Sequence, residues 1–183
     1  MNEWKELTSI PRSAITSGGL CQVWGVPVEW VETFPSVNAL TQIISSDIQL
    51  LAGKSWISFL WAHPSRAFSE EGKIFNGTPL WEQKLSGKLY SNTTDASLQH
   101  NNMLFHRWVF LVKEAGTGNI YVVGKPPVGA ALSIQYNSNQ GTITEVTAAF
   151  RSIHRAPIYT GNMPGAVIGI EGIFTEEFTL QFA

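Results

Sequence analysis

The stretch Leu111–Pro126, LVKEAGTGNIYVVGKP, restricts the fold more than any other in the chain. Two apolar, β-branched runs flank Gly116-Thr117-Gly118, and Gly124 follows the second. A dinucleotide loop would place a third glycine where Tyr121 stands and would open a helix, because free N–H groups at a helix N-terminus hold the pyrophosphate. Here Ile120, Tyr121, Val122 and Val123 follow instead, and these residues favour strands. A Walker phosphate loop needs Gly-Lys-Ser/Thr after the glycines, and none is present. The segment reads as a hairpin turning between Glu114 and Asn119, with glycines supplying positive φ.

The same strand signal recurs along the chain. Gly18–Val31 alternates with aromatic and β-branched residues, and Pro27 marks an edge or bulge at its far end. Ile43–Ala62 reads as strand, turn at Ala52-Gly53-Lys54, and strand. Trp56, Ser58 and Leu60 would face one way and Ile57, Phe59 and Trp61 the other, as in a strand covered on both sides. His63–Gln83 holds two prolines, two glycines and an Asn-Gly pair with no hydrophobic period, which predicts a long loop or extended arm. Leu80–Tyr90 returns to an extended pattern. Thr93–Trp108 is the one helix candidate, capped by Thr94 or Asp95, with Leu98, Asn101/Asn102 and Phe105 at helical spacing. Another pair of strands surrounds Asn137–Gly141, and Met163–Ala183 carries further strand-like pieces. The expectation is a single mainly-β domain over residues 1–183, with its core at about 15–162. It is a sandwich or barrel of antiparallel hairpins with one short flanking helix, an arm at 63–83 and a C-terminal extension at 163–183.

Composition excludes several classes of function. Only 14% of the 183 residues are charged, and the net charge of −2 offers neither a nucleic-acid patch nor a polybasic membrane anchor. A lightly charged chain with seven Trp and ten Phe suits a surface that other chains cover. No run is long and apolar enough for a membrane helix, and Met1–Ser13 lacks a secretory pattern. Cys21 is the only cysteine and reads as a small buried hydrophobe.

Chemistry is equally sparse. His63, His100, His106 and His154 show no metal-ligand spacing with an acidic partner, and no nucleophile elbow occurs. Glu70-Glu71 and Glu176-Glu177 are sequence neighbours, which strands point to opposite faces. Asn76-Gly77-Thr78 and Asn92-Thr93-Thr94 match the glycosylation acceptor, which matters only in a secreted chain. No catalytic, cofactor-binding or metal residue is expected, nor any cofactor. Trp24, Trp30, Trp56, Trp61, Trp81 and Trp108 lie in or beside strand runs, where packing is their ordinary role. An exposed row of Trp24, Trp30 and Trp81 would instead form a sugar-stacking platform, as in carbohydrate-binding or adhesion modules.

The order of elements, with the segments GGLCQVWGVPVEWV, LLAGKSWISF, FHRWVFLVKEAGTGNIYVVGKPPVGAALSIQYNSNQG and AAFRSIHRAPIYTG, resembles the tail tube proteins of tailed bacteriophages, in the version carried by Bacteroidetes-type phages and prophages. The resemblance spans about residues 15–162. It implies a non-catalytic virion protein, made in the host cytoplasm, that forms hexameric rings. These rings stack into a tube for genome passage, a long loop reaches the neighbouring ring, and a tape measure protein and possibly a sheath are partners. A tail terminator or head–tail connector of the same fold class is the alternative. Under this reading Phe68, Ile74, Phe75, Trp81, Trp108 and Tyr121 are candidate inter-subunit contacts. Tube lumens of the family are acidic, and Asp47, Glu82, Glu114 and Glu145 are the acidic residues in or near strands that could line one.

Overall fold

A computed structural model describes residues 19–59, 61, 65–89, 94–137 and 143–162. In chain order the elements are β1 (Leu20–Pro27), a 3-10 turn at Val28–Trp30, β2 (Val31–Thr33), β3 (Ile43–Ile44), β4 (Gln49–Leu50), β5 (Ile57–Ser58) and β6 (Ala67–Phe75). There follow β7 (Thr78–Leu89), α1 (Thr94–Phe105), β8 (Arg107–Glu114), β9 (Ile120–Val123), β10 (Ala130–Asn137), β11 (Ile143–Ser152) and β12 (Ile158–Tyr159).

The centre of this arrangement is β8, RWVFLVKE, whose apolar residues occupy both faces. One edge pairs antiparallel with β1, from Pro27 opposite Trp108 to Leu20 opposite Glu114. Its other edge pairs with β9 and then, at Trp108 and Arg107, with the start of β10. Strands β9 and β10 are thus one path along β8, interrupted by a loop at 124–129 that lies outside the ladder. Gly124 and Gly129 bound this loop with φ of +86° and +60°. A Cβ at Gly124 would stand 2.4 Å from the Trp108 carbonyl oxygen, so the loop can close on β8 only with glycine there. Beyond Ala131, β10 leaves β8 and carries the sheet through β11 and β7 to β6.

This departure folds the sheet over itself. Val23, Phe59, Trp61, Trp108, Phe110, Val112 and Val123 form one buried cluster with Leu85 of β7 and with Val146, Ala148 and Phe150 of β11. Phe59 sits edge-on to Trp61, Trp108 and Phe110, with ring centroids 5.6, 5.6 and 5.4 Å away, the arrangement that aromatic quadrupoles favour. On the other face of β8, Val109 and Leu111 join Trp24, Val26, Ile44, Ile48, Trp56, Val122 and Tyr159. The alternation at Trp56–Trp61 follows suit: Ile57, Phe59 and Trp61 belong to the first cluster and Trp56 to the second.

The described residues are therefore mainly β with one short α-helix, and the hairpin turn at Glu114–Asn119 is present. Glu114 N–H donates to the Asn119 carbonyl (2.9 Å), Gly118 N–H to that of Glu114 (3.1 Å), and Gly118 has φ +72°. Four expectations are corrected. The sheet is open, running from β3 to β6 without closing into a barrel, and β12 pairs parallel with β3. The 63–83 arm is ordered structure over 65–83, because β6 and β7 form one long hairpin. The helix is anchored by buried Met103, which accepts the Trp108 indole N–H on its carbonyl (3.0 Å), while Phe105 is exposed. Cys21 is exposed, since it is the extra residue of a bulge between Leu20 and Gln22 that turns it away from the core. The extension at 163–183 lies outside the described residues.

The two layers meet closely where Trp61 packs on Gly87. A Cβ on Gly87 would fall 2.2 Å from Trp61 Cδ2, inside a buried ring that has no room to withdraw. Gly87→Ala is expected to cost about 1–3 kcal/mol, as overpacked cores do. The check is a lower urea midpoint at unchanged m-value.

Candidate interaction surface

The β6–β7 hairpin projects beyond the strand beside it. Its two-residue turn is Asn76-Gly77, both with positive φ (+48° and +77°), as a type I′ turn requires. Register runs from Phe75 opposite Thr78 to Ala67 opposite Ser86. β11 covers the other edge of β7 only as far as Trp81, which lies opposite Ser152. The hairpin therefore overhangs its sheet by residues 73–80, a projection of about 10 Å at strand rise.

β6 ends the sheet, so one of its edges has no strand partner among the described residues. A two-residue turn makes Phe75 and Thr78 a hydrogen-bonded pair, and the alternation then turns the backbone N–H and C=O groups of Phe68, Glu70, Gly72 and Ile74 outward. Residues 71–79 are all exposed. At the tip Ile74 is 72% and Phe75 61% exposed, an unusual use of large apolar side chains on a lone projection.

The base is held firmly on both faces. On the inner face the Phe68 ring stacks on Tyr121 of β9, with centroids 5.6 Å apart. The Glu70 carboxylate, only 6% exposed, accepts from Arg155 Nε and Nη2 (3.2 and 3.1 Å) and from the Ala156 backbone N–H. Arg155 also lies 5.4 Å over the Trp81 ring, which in turn covers Gly72. On the outer face Glu82 bridges Lys73 (3.0 Å) and Arg151 (2.9 Å), a charge ladder across β6, β7 and β11.

Of the candidate contact residues, Ile74 and Phe75 are thus available at the tip. Trp81 is half-buried beneath Arg155, and Phe68 and Tyr121 contact each other within the chain. Trp108 has no exposed surface and is a core residue, a correction to its listing as a contact. The acidic residues share no wall. Asp47 accepts the Asn162 backbone N–H (2.7 Å) and side-chain amide (2.8 Å), which hold its carboxyl below the usual carboxylate range. Glu82 serves the ladder, Glu114 accepts the Thr117 hydroxyl inside its own turn, and Glu145 is exposed on β11. The sugar platform is also dismantled. Trp24 is buried, Trp30 lies under Lys54 at 4.8 Å, and Trp81 lies under Arg155. Burial lowers the pKa of His100, and among the described residues no group of three or more His, Cys, Asp or Glu could hold a metal. No described helix is long and apolar enough to cross a membrane.

Sequence reasoning missed the Glu70–Arg155 clamp, because its partners stand 85 residues apart. It read the Asn76-Gly77 pair as part of a loop, although that pair between extended residues is the strongest short-range hairpin signal. Comparison with protein-family models, with curated proteins and with solved structures returns no match.

Hydrogen bonding by Lys73, and then the charges of Lys73 and Arg151, depress the Glu82 pKa. A depressed carboxylate contributes stability above its unfolded value, near 4.3, and loses it as pH falls through the lower folded value. Glu82→Gln is accordingly expected to lower the melting temperature at pH 7, and the difference from the parent is expected to shrink as the pH is lowered into the acid range. A difference independent of pH would contradict the ladder.

Proposed function

We propose that this chain is a structural virion subunit of the phage tail tube. In this role it forms hexameric rings that stack into a tube, meets a tape measure protein and possibly a sheath, and lets the genome pass without reading it. The observation that carries the reading is the hairpin overhang. A sheet edge with outward backbone groups ends in two exposed apolar side chains, while the base of the same hairpin is clamped by aromatic and ionic contacts. A monomer would leave that edge as an aggregation hazard, whereas an assembly pairs or covers it. The low charge of the chain and the resemblance noted above support the same role. A terminator or connector ring would use the same surfaces.

Electron microscopy of the concentrated protein is expected to show six-fold rings or tubes. Ile74→Ser combined with Phe75→Ser should remove them while moving the stability of the subunit by about 0.5 kcal/mol or less, since both side chains are exposed. A parent protein that stays monomeric at high concentration, or a double variant that assembles as well as the parent, would overturn the reading.

A further inference from the structure

We propose that Asn76 is a site of spontaneous chemical modification, cyclising onto Gly77 and hydrolysing to aspartate and isoaspartate. The chain has ten asparagines, and only Asn76 precedes a glycine. Cyclisation requires the backbone nitrogen of the next residue to reach the side-chain Cγ, and glycine has no side chain to obstruct that approach. Asparagine is among the thermolabile residues for this reason. The fold presents the pair openly. Both residues are exposed at the projecting end, and the position a Gly77 Cβ would take has nothing within 4 Å. A type I′ turn closes through Phe75 and Thr78, which leaves the Gly77 N–H outside the ladder. No described residue holds the Asn76 amide by a hydrogen bond.

The chemistry needs only water. The Gly77 nitrogen gives up its proton and bonds to Asn76 Cγ, and the amide nitrogen leaves as ammonia. Water then opens the five-membered imide at either carbonyl. Opening at Cγ yields aspartate, and opening at the main-chain carbonyl yields isoaspartate. The two products differ in consequence. Asp-Gly keeps a type I′ turn and adds a carboxylate between Phe75 and Thr78. Isoaspartate lengthens the backbone by one methylene, so a two-residue loop no longer holds Phe75 opposite Thr78. The further consequence, that aged subunits assemble less well, rests on the function proposed above.

The test incubates the intact folded protein in warm, mildly alkaline buffer and follows the tryptic peptide Ile74–Lys84 by mass spectrometry. Conversion of the amide to acid, with an isoaspartate-specific label, is expected in this peptide before any other asparagine changes. Retention of the amide in the folded protein, while the excised peptide converts, would overturn the proposal. Assembly of the aged protein, with its isoaspartate content fixed by the label, is measured separately by electron microscopy against fresh protein. Undiminished rings from isoaspartate-rich subunits would remove the assembly consequence and leave the modification standing, whereas absence of rings from the fresh protein bears on the proposed function alone.

Discussion

Everything in this fold depends on β8 being covered on both faces. A strand that alternates Trp108, Phe110 and Val112 with Val109 and Leu111 has no solvent side, so it demands a layer above and a layer below. The layer on one side comes from the sheet's own continuation, turned by the 124–129 loop so that β11 and β7 return over the aromatic group around Phe59. On the other side the short strands and loops of residues 31–50, with Tyr159, complete the cover. The short strands β2, β3 and β4 belong to this cover, whereas β5 pairs with β1 and faces the first cluster.

The same dependence explains what was readable from the sequence. Paired apolar runs around a glycine turn are local, and the Leu111–Pro126 hairpin, the placing of Trp56 opposite Ile57, Phe59 and Trp61, and the mainly-β class all follow from residues within a few positions of one another. The short helix was readable too, though not the face it buries. Phe105 has the right spacing, but the turn into β8 points it outward and gives the core to Met103. Cys21 fails for another reason: the usual burial of a free cysteine is a residue-type tendency, and a bulge at Leu20/Gln22 turns this one outward.

Of the hairpin at 67–89 only the return strand from Leu80 was legible, because the outer half is wetted on both faces. Period-2 patterning reports burial of one face against a core, and Lys73, Ile74, Phe75, Thr78 and Pro79 have no core to report. The candidate contacts found the tip at Ile74 and Phe75 but also included Phe68, Tyr121 and Trp108, whose partners are within the chain. The Glu70–Arg155 clamp depends on tertiary proximity, and no local pattern announces it.

The flanking of β7 has a mechanical consequence. It is bonded along one edge to β6 and along the other to β11, from Leu89 opposite Thr144 to Trp81 opposite Ser152. A pull applied at Asn76 along the hairpin axis therefore loads the ladder between β7 and β11 in shear, with many bonds resisting together, rather than peeling them one at a time. The Phe68–Tyr121 stack and the Glu70–Arg155 clamp pass part of the same load into β9 and the segment before β12. The projecting tip behaves as the end of a stiff lever seated in the middle of the molecule, and tension on it is borne by the whole sheet.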